Sequence, residues 1–310
     1  MELTTKHTRF RAYQLKSNGS SFSYWDGSHF TLCEARYNDD NKASIWHELR
    51  SVCRKSSIDT LHITSWDVDH CNNSELTKIL SELRPSHIEV PGYSPHTDQG
   101  NASLKQIDDY LSLNNATFTI NSSKELSVLP NAIRWDNNNC LWSKDIAQKP
   151  NDNSSIKLFR TGCFTVLSLG DIESSDIAQG LLSSEIMCEE VDILILSHHG
   201  ADNGFTSDEF LKGINPKIAI ALCDWGNRYS HPNQSIIQRL NRNAISYYST
   251  KQGDVIIESI DDHRSKYKVW NYISNGDRCE SVSESKVTKK AEENQREMFR
   301  RYSYLIRSRS

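Results

Sequence analysis

Short apolar and β-branched runs recur along the chain, and each run is bounded by glycine, proline or polar residues. Runs of this kind are typical of buried strands. They predict ten strands, at residues 30–35, 60–64, 88–90, 116–120, 156–160, 164–169, 193–197, 218–222, 245–248 and 254–258.

Helical periodicity lies between several of these runs. Positions 76, 79, 80 and 83 are apolar at helical spacing, and Ser74 is the expected N-cap of that helix. A second helix is predicted after Pro232, and weaker patterns cover 104–113 and 207–213. Strands that alternate with helices predict an α/β protein whose sheet faces are covered by helices.

The chain is more polar than an average globular protein, and its polar residues are concentrated in particular segments. Of the 310 residues 36% are hydrophobic, below the roughly 45–50% of an average globular protein. Residues 135–155 are predicted to form a long polar loop, and the polar, charged residues from 275 onward a tail. We therefore predict one domain over residues 1–274 and a mobile or partner-binding tail over 275–310, with a helix near 291–306.

The charge is uneven along the chain. The net charge is −4, but residues 296–310 hold five arginines and one glutamate, which leaves −8 on the rest. Binding to nucleic acid would therefore need a local patch or this tail. No apolar run is long enough to span a bilayer, and the N-terminus lacks an apolar leader, so we expect a cytoplasmic protein without a membrane partner. The eight cysteines form no CxxC and are expected to be reduced thiols.

The segment 61–73 carries the first candidate chemistry. A β-run ends near residue 64 and is followed by Asp67, Asp69 and His70. Two carboxylates and an imidazole at the end of a strand can converge on a metal ion. An acidic turn that caps the next helix is the alternative.

Three further strands end in polar residues of ligand type. The run 164–169 is followed by Gly170 and Asp171, and the run 193–197 by the histidine pair His198 and His199. The run 218–222 leads to a loop with Asn227, Arg228, Tyr229 and His231 before Pro232, a position that suits binding of an anion at a helix N-terminus.

Together these motifs resemble the metallo-β-lactamase fold. They resemble in particular the soluble hydrolase domain of ComEC-type competence (DNA-uptake) proteins. SHHGADNG at 197–204 and IAIALCDWGNRYSHPNQSIIQRL at 218–240 carry it most specifically. The resemblance covers residues 8–260 and implies a four-layer αββα sandwich. Standalone members of this branch occur in bacteria, some beside defence genes, which implies a protein partner.

The first motif departs from the family pattern His-x-His-x-Asp-His, because Ser65 and Asp67 replace the two leading histidines. The resemblance implies that Asp69 and His70 ligate the second metal and that Asp171 bridges. It assigns the last ligand to His198. His199 would then either support the ligands from behind or act as a general acid. Asp67 could still donate an oxygen.

The implied cofactor is one or two divalent ions, zinc or manganese, with magnesium also compatible with an oxygen-rich site. The implied activity is hydrolysis of a phosphodiester by metal-activated water, most readily as a nuclease. The expected catalytic residues are Asp69, Asp171, His199 and His231, and the expected substrate-binding residues are Asn227, Arg228, Tyr229 and Lys251. Two alternatives stay open: a non-catalytic binding or assembly module, and a hydrolase of a small ester, a lactone or a cyclic nucleotide.

Overall fold

The computed structural model describes residues 6–121, 139–142, 149–260, 265–275 and 278–307. Its strands are β1 (Arg9–Ala12), β2 (Phe22–Trp25), β3 (Phe30–Cys33), β4 (Thr60–His62), β5 (His87–Val90), β6 (Thr117–Ile120), β7 (Asn139–Trp142), β8 (Ile156–Phe159), β9 (Thr165–Ser168), β10 (Val191–Ile195), β11 (Ile218–Ala221), β12 (Ser246–Ser249), β13 (Val255–Ser259), β14 (Lys266–Asn275) and β15 (Arg278–Val287). Its α-helices are α1 (Lys42–Trp46), α2 (Asn73–Lys78), α3 (Asp98–Leu113), α4 (Ser175–Leu182), α5 (Glu185–Glu190), α6 (Asp208–Ile214), α7 (Gln234–Arg242) and α8 (Lys289–Arg307). Two π-helical segments continue α1 and α2, at His47–Val52 and Ile79–Leu83, and short 3₁₀ turns lie at Pro150–Asn153 and Ser197–Gly200. Within the described chain, no helix combines the length and apolar content needed to cross a membrane.

The strands form two sheets that each contain a parallel run. The first sheet has the order β15-β14-β13-β1-β2-β3-β4-β5-β6 and is parallel from β3 to β6. The second has the order β12-β11-β10-β9-β8-β7 and is parallel from β12 to β9. Within each parallel run the carboxyl ends of the strands lie at one edge, where side chains from different strands can meet.

The apolar residues of the described chain pack in three clusters, which define four layers. Ile193 and Ile195 of β10 face the cluster between the two sheets, whereas Leu194 faces the cluster under α4 to α7. A third cluster lies between the first sheet and α1 to α3. Because successive side chains of a strand point to opposite faces, a strand covered on both sides is an unbroken apolar run. The predicted α/β class and four-layer αββα sandwich are confirmed.

All ten predicted strands are present, whereas β1, β2, β7, β14 and β15 were not predicted. In β1 the apolar pattern is interrupted by Arg9 and Arg11, which both pair with the buried Glu48 of the π-helical segment. β7 lies inside the predicted polar loop 135–155, of which 135–138 and 143–148 are outside the described residues. The helix cap was also wrong: Asn72 rather than Ser74 caps α2, since its side chain accepts from the amides of Ser74 and Glu75.

The C-terminal segment differs from the predicted tail. The boundary at 274/275 falls at the end of β14, and β15 pairs with β14 from Arg278 to Val287. The predicted helix near 291–306 is present as α8, and its first residues Lys289 and Lys290 are buried. The described residues after 275 therefore extend the first sheet and end in a helix. A partner for this segment stays a prediction.

We expect Glu190→Ala to lower the free energy of unfolding by about 3–5 kcal/mol, because it removes the carboxylate that pairs with a buried arginine. Arg160 Nη2 lies 2.9 Å from both carboxylate oxygens of Glu190, and both side chains are buried. Chemical denaturation measures the change. Glu189→Ala, an exposed neighbour on the same helix, is the control and should change stability by less than about 0.5 kcal/mol. Equal losses in the two variants would contradict this assignment.

Candidate metal centre

Four side chains from three strand ends converge on one point. Asp69 and His70 follow β4, Asp171 follows β9 and His199 follows β10. One ligand atom from each of these residues lies within 4.8 Å of every other. The cluster joins both sheets, because β4 belongs to the first sheet and β9 and β10 to the second.

The backbone after β9 and β10 directs these side chains. Gly170 has φ +55°, and a Cβ there would lie 3.0 Å from the carbonyl oxygen of Ser155, so the turn that presents Asp171 favours glycine. His198 and His199 have φ of 45° and 57°, a left-handed conformation that is uncommon without glycine. Two such residues in succession carry backbone strain, which is typical of functional sites.

Hydrogen bonds fix which ring nitrogen of each histidine is free. His70 Nδ1 lies 3.1 Å from Glu34 Oε1, and His199 Nδ1 lies 2.7 Å from the carbonyl oxygen of Leu222. A carboxylate and a carbonyl only accept, so both Nδ1 atoms carry the hydrogen. In the neutral rings the lone pair is therefore on Nε2, as in metal-ligating histidines whose other nitrogen is held by an acceptor.

Both Nε2 atoms face the carboxylates. His70 Nε2 lies 3.0 Å from Asp171 Oδ2 and 4.0 Å from Asp69 Oδ1. His199 Nε2 lies 3.6 Å from Asp69 Oδ2 and 3.9 Å from Asp171 Oδ1. His70 Nε2 is buried and makes no hydrogen bond of acceptable geometry with the described residues. This orphaned atom, in a set of two imidazoles and two carboxylates, fits a divalent metal ion.

The charges of the cluster are strongly coupled. Burial alone would raise the pKa of Asp69, but His70 and His199 lower it to about 2. Burial also opposes ionisation of Asp171, yet the same two histidines hold its pKa well below the usual range. Burial lowers the pKa of each imidazole, and the carboxylates, including Glu34 beside His70, raise it above its usual value. An ion bound here would displace ring protons, so its affinity would weaken at low pH.

The structure brings three of the five predicted ligands together and leaves two outside. Asp69, His70 and Asp171 belong to the cluster, and His199 takes the position that the resemblance gives to His198. His198 Nδ1 instead lies 2.9 Å from Glu173 Oε1. The side chain of Asp67 is exposed and accepts a hydrogen bond from Ser65.

A cavity of about 430 Å³ opens over the cluster. Most of the predicted site residues line it: Asp67, Asp69, Asp171, His198, His199, Asn227, Arg228, Tyr229 and His231. Arg228 is the only arginine or lysine among the described lining residues. Lys251 does not line this cavity, so the structure gives no support to its predicted contact with the substrate. The ring of His231 lies 5.8 Å from that of His198, between centroids, and burial lowers its pKa.

The position of the missing first histidine is filled by a hydroxyl network. Ser65 is buried, and its Oγ donates to Asp67 Oδ2 at 2.9 Å. Since that uses its one hydrogen, Tyr93 OH must donate to Ser65 Oγ, 3.0 Å away, and it accepts from the amide of Trp66. These groups use one another's hydrogen-bonding capacity. The Ser65 oxygen is therefore not left free to ligate a metal ion.

Glu34 is the site residue that the sequence did not reveal. It lies just after β3, has φ +70° and is buried. Its carboxylate accepts from the amide of Thr64 at 3.1 Å and from the hydroxyl of Thr64 at 2.6 Å, and it orients His70. No motif marks it, because it is a single glutamate far along the chain from His70.

We expect Glu34→Gln to weaken metal binding by about 10- to 100-fold, the usual cost of removing the acceptor behind a metal-ligating histidine. The amide keeps the shape of the side chain but lacks the charge that fixes the ring hydrogen on Nδ1. Calorimetric titration with Mn²⁺ or Zn²⁺ measures the change. Glu185→Gln, at an exposed position on α5, should bind as the parent does. An unchanged affinity in Glu34→Gln would show that Glu34 does not support His70 as a ligand.

Comparison with known proteins gives partial sequence matches. No family model matches the chain. The chain is 34% identical over 110 residues to ComE operon protein 3 of Bacillus subtilis and 33% identical over 58 residues to competence protein ComA of Neisseria gonorrhoeae. These matches cover 34% and 19% of this chain, and they span only 13% and 8% of the two relatives.

Solved structures also share similarity with the chain. A mutant of the β-hydroxylase CmlA matches with a TM-score of 0.48 and 12% identity, over 82% of this chain and 54% of that protein. A metallo hydrolase of the archaeon Ignicoccus hospitalis matches with a TM-score of 0.44 and 10% identity, over 80% of this chain and 98% of that protein. The four-residue cluster itself is of a composition that can hold a divalent metal ion.

Proposed function

We propose that the chain hydrolyses phosphodiesters of nucleic acid with the help of a divalent metal ion. The observation that carries the proposal is the cluster of two carboxylates and two imidazole Nε2 atoms at the base of a cavity that also contains Arg228. Guanidinium groups pair well with phosphate. Partial similarity to two competence-related proteins adds support for a nucleic-acid substrate.

Asp69, His70, Asp171 and His199 would hold one ion. A set of two carboxylates and two imidazoles accepts zinc or manganese. A second ion would need ligands near Ser65 and Asp67, but the side chains of these two residues are hydrogen-bonded to each other. We therefore propose one ion in each chain.

When bound, the ion would activate a water molecule and stabilise negative charge on a phosphoryl oxygen. Asp69 and Asp171 orient the nucleophilic water by accepting its hydrogens. Arg228 neutralises the non-bridging phosphate oxygens at the mouth of the cavity. His231, whose lowered pKa favours the neutral ring, accepts a proton from the attacking water as a general base, and the imidazolium so formed passes that proton to the leaving oxygen.

The test is a metal analysis of the purified chain combined with a nuclease assay in Mn²⁺, Mg²⁺ and Zn²⁺. We expect one equivalent of metal per chain, and cleavage of an oligonucleotide with at least one of the ions. A chain that binds metal but cleaves no phosphodiester with any of the three would overturn the proposed activity.

A non-catalytic binding module is the second candidate, and the Ser65 network favours it. In that case the buried hydroxyls of Ser65 and Tyr93 mark a site that has lost its metal chemistry. Purified protein without stoichiometric metal, even after incubation with each ion, would support this candidate against the hydrolase.

A further inference from the structure

Exposed apolar side chains gather around the mouth of the metal cavity. Val68 and Tyr229 line the cavity and are 56% and 55% exposed. Trp225 directly follows Asp224 in the cavity wall and is 70% exposed. We call these three residues the cavity rim. Apolar side chains that stay in water at the edge of a binding cavity are typical of a surface that a ligand covers.

The rim carries flat rings beside a cation. The guanidinium of Arg228 lies over the ring of Tyr229, 4.6 Å from its centroid. The Tyr229 ring is also nearly parallel to that of His231, with centroids 5.6 Å apart and an angle of 19°. These groups form a short stack that runs from the exposed rim to the imidazole in the cavity.

Trp225 is the more exposed of the two aromatic residues of the cavity rim. Among the described residues, no aromatic ring or cation packs on its indole, and its neighbour Gly226 adds no side chain of its own. An indole left in water in this way offers a π-face to a planar partner. Aromatic rings and arginine planes are the surfaces on which proteins stack unpaired bases.

We propose that the cavity rim binds unpaired nucleobases of single-stranded nucleic acid and so places the adjoining phosphodiester at the metal centre. This inference rests on the proposed function and names its substrate. Trp225 and the Arg228–Tyr229 pair stack on bases, while the arginine also neutralises the backbone. Bases in a duplex are already stacked on each other, so the rim favours single strands over duplexes.

The experiment measures binding without cleavage. Fluorescence anisotropy in EDTA follows a labelled oligothymidylate, an abasic oligonucleotide of the same length and a duplex. We expect the parent chain to bind oligothymidylate at least about 10-fold more tightly than either of the others. Trp225→Ala and Tyr229→Ala should each weaken oligothymidylate binding by about 5- to 150-fold, the range for loss of one stacked base. Binding of the abasic strand should not change.

Two matched variants separate stacking from other effects. Tyr229→Phe keeps the ring but loses the hydroxyl that accepts from Arg228, so it should bind oligothymidylate more tightly than Tyr229→Ala does. Phe299→Ala removes an equally exposed ring from α8, which does not line the cavity, and should change nothing. Equal binding of the abasic strand or the duplex by the parent, or unchanged binding in both alanine variants of the rim, would overturn the inference.

Cleavage assays distinguish this inference from the proposed function. Base-dependent binding to single strands without cleavage by any metal would keep the rim assignment and reject the hydrolase. Cleavage of the abasic strand and the duplex at the parental rate of single strands, unaffected by Trp225→Ala, would reject the rim assignment and keep the hydrolase.

Discussion

Asp171→Asn is expected to lower metal affinity by more than about 100-fold and to remove hydrolysis. Asp171 is 6% exposed, and its oxygens face both His70 Nε2, at 3.0 Å, and His199 Nε2, at 3.9 Å. The amide has the same shape but no charge, and it replaces one anionic oxygen by a donor that cannot ligate a cation. Loss of a direct ligand should exceed the roughly 10- to 100-fold cost of disturbing a residue behind a ligand.

Metal content after dialysis and initial rates of oligonucleotide cleavage measure both effects. Asp176→Asn, an exposed position at the start of α4, is the matched control and should keep its metal and its activity. Thermal unfolding in EDTA should show that the Asp171 variant still folds. Full metal content and an unchanged rate in Asp171→Asn would reject the proposed centre.

The adjacent histidines should give opposite results. His199→Ala removes an Nε2 that faces both carboxylates, so metal affinity should fall by more than about 100-fold. His198→Ala should keep the metal, because that ring pairs with Glu173 outside the cluster. The ring of His198 also lines the cavity beside His231, so metal content rather than activity is the measurement that separates the two histidines.

The same metal analysis, with each variant loaded with Mn²⁺ and then dialysed, separates the two histidines. Glu173→Gln is a useful companion, because it disturbs the partner of His198 and leaves the cluster residues in place. If His198→Ala lost its metal and His199→Ala kept it, the ligand set derived from the family resemblance would be correct and the geometric one wrong.

Much of the fold could be predicted because both faces of the central strands are buried. A strand such as β10 is buried at every position and apolar at four of its five, Asp192 being the exception, so the strand is visible in the sequence. Strand β14 is covered on only one of its two faces. Tyr267 and Val269 are buried on that face, whereas Lys266 is exposed. Polar and charged residues at the alternate positions hid this strand, which the sequence did not predict within the domain 1–274.

The candidate site was predictable where side chains of ligand type stand in the loop after a predicted strand. Asp69, His70 and Asp171 come from such positions. The sequence could not decide between His198 and His199, because both lie after the same strand and two left-handed backbone conformations determine which ring enters the cluster. Glu34 was missed since its role depends on β3 lying beside β4, a contact between segments about thirty residues apart.

The cluster draws two of its ligands from each sheet, and this has a consequence for how the sandwich holds together. An ion bound there would cross-link the two sheets. Its binding energy would add to the apolar contacts that join the sheets, because only the closed arrangement brings all four ligands within reach. Whatever separates the layers would release the ion, and whatever removes the ion would make the layers easier to separate.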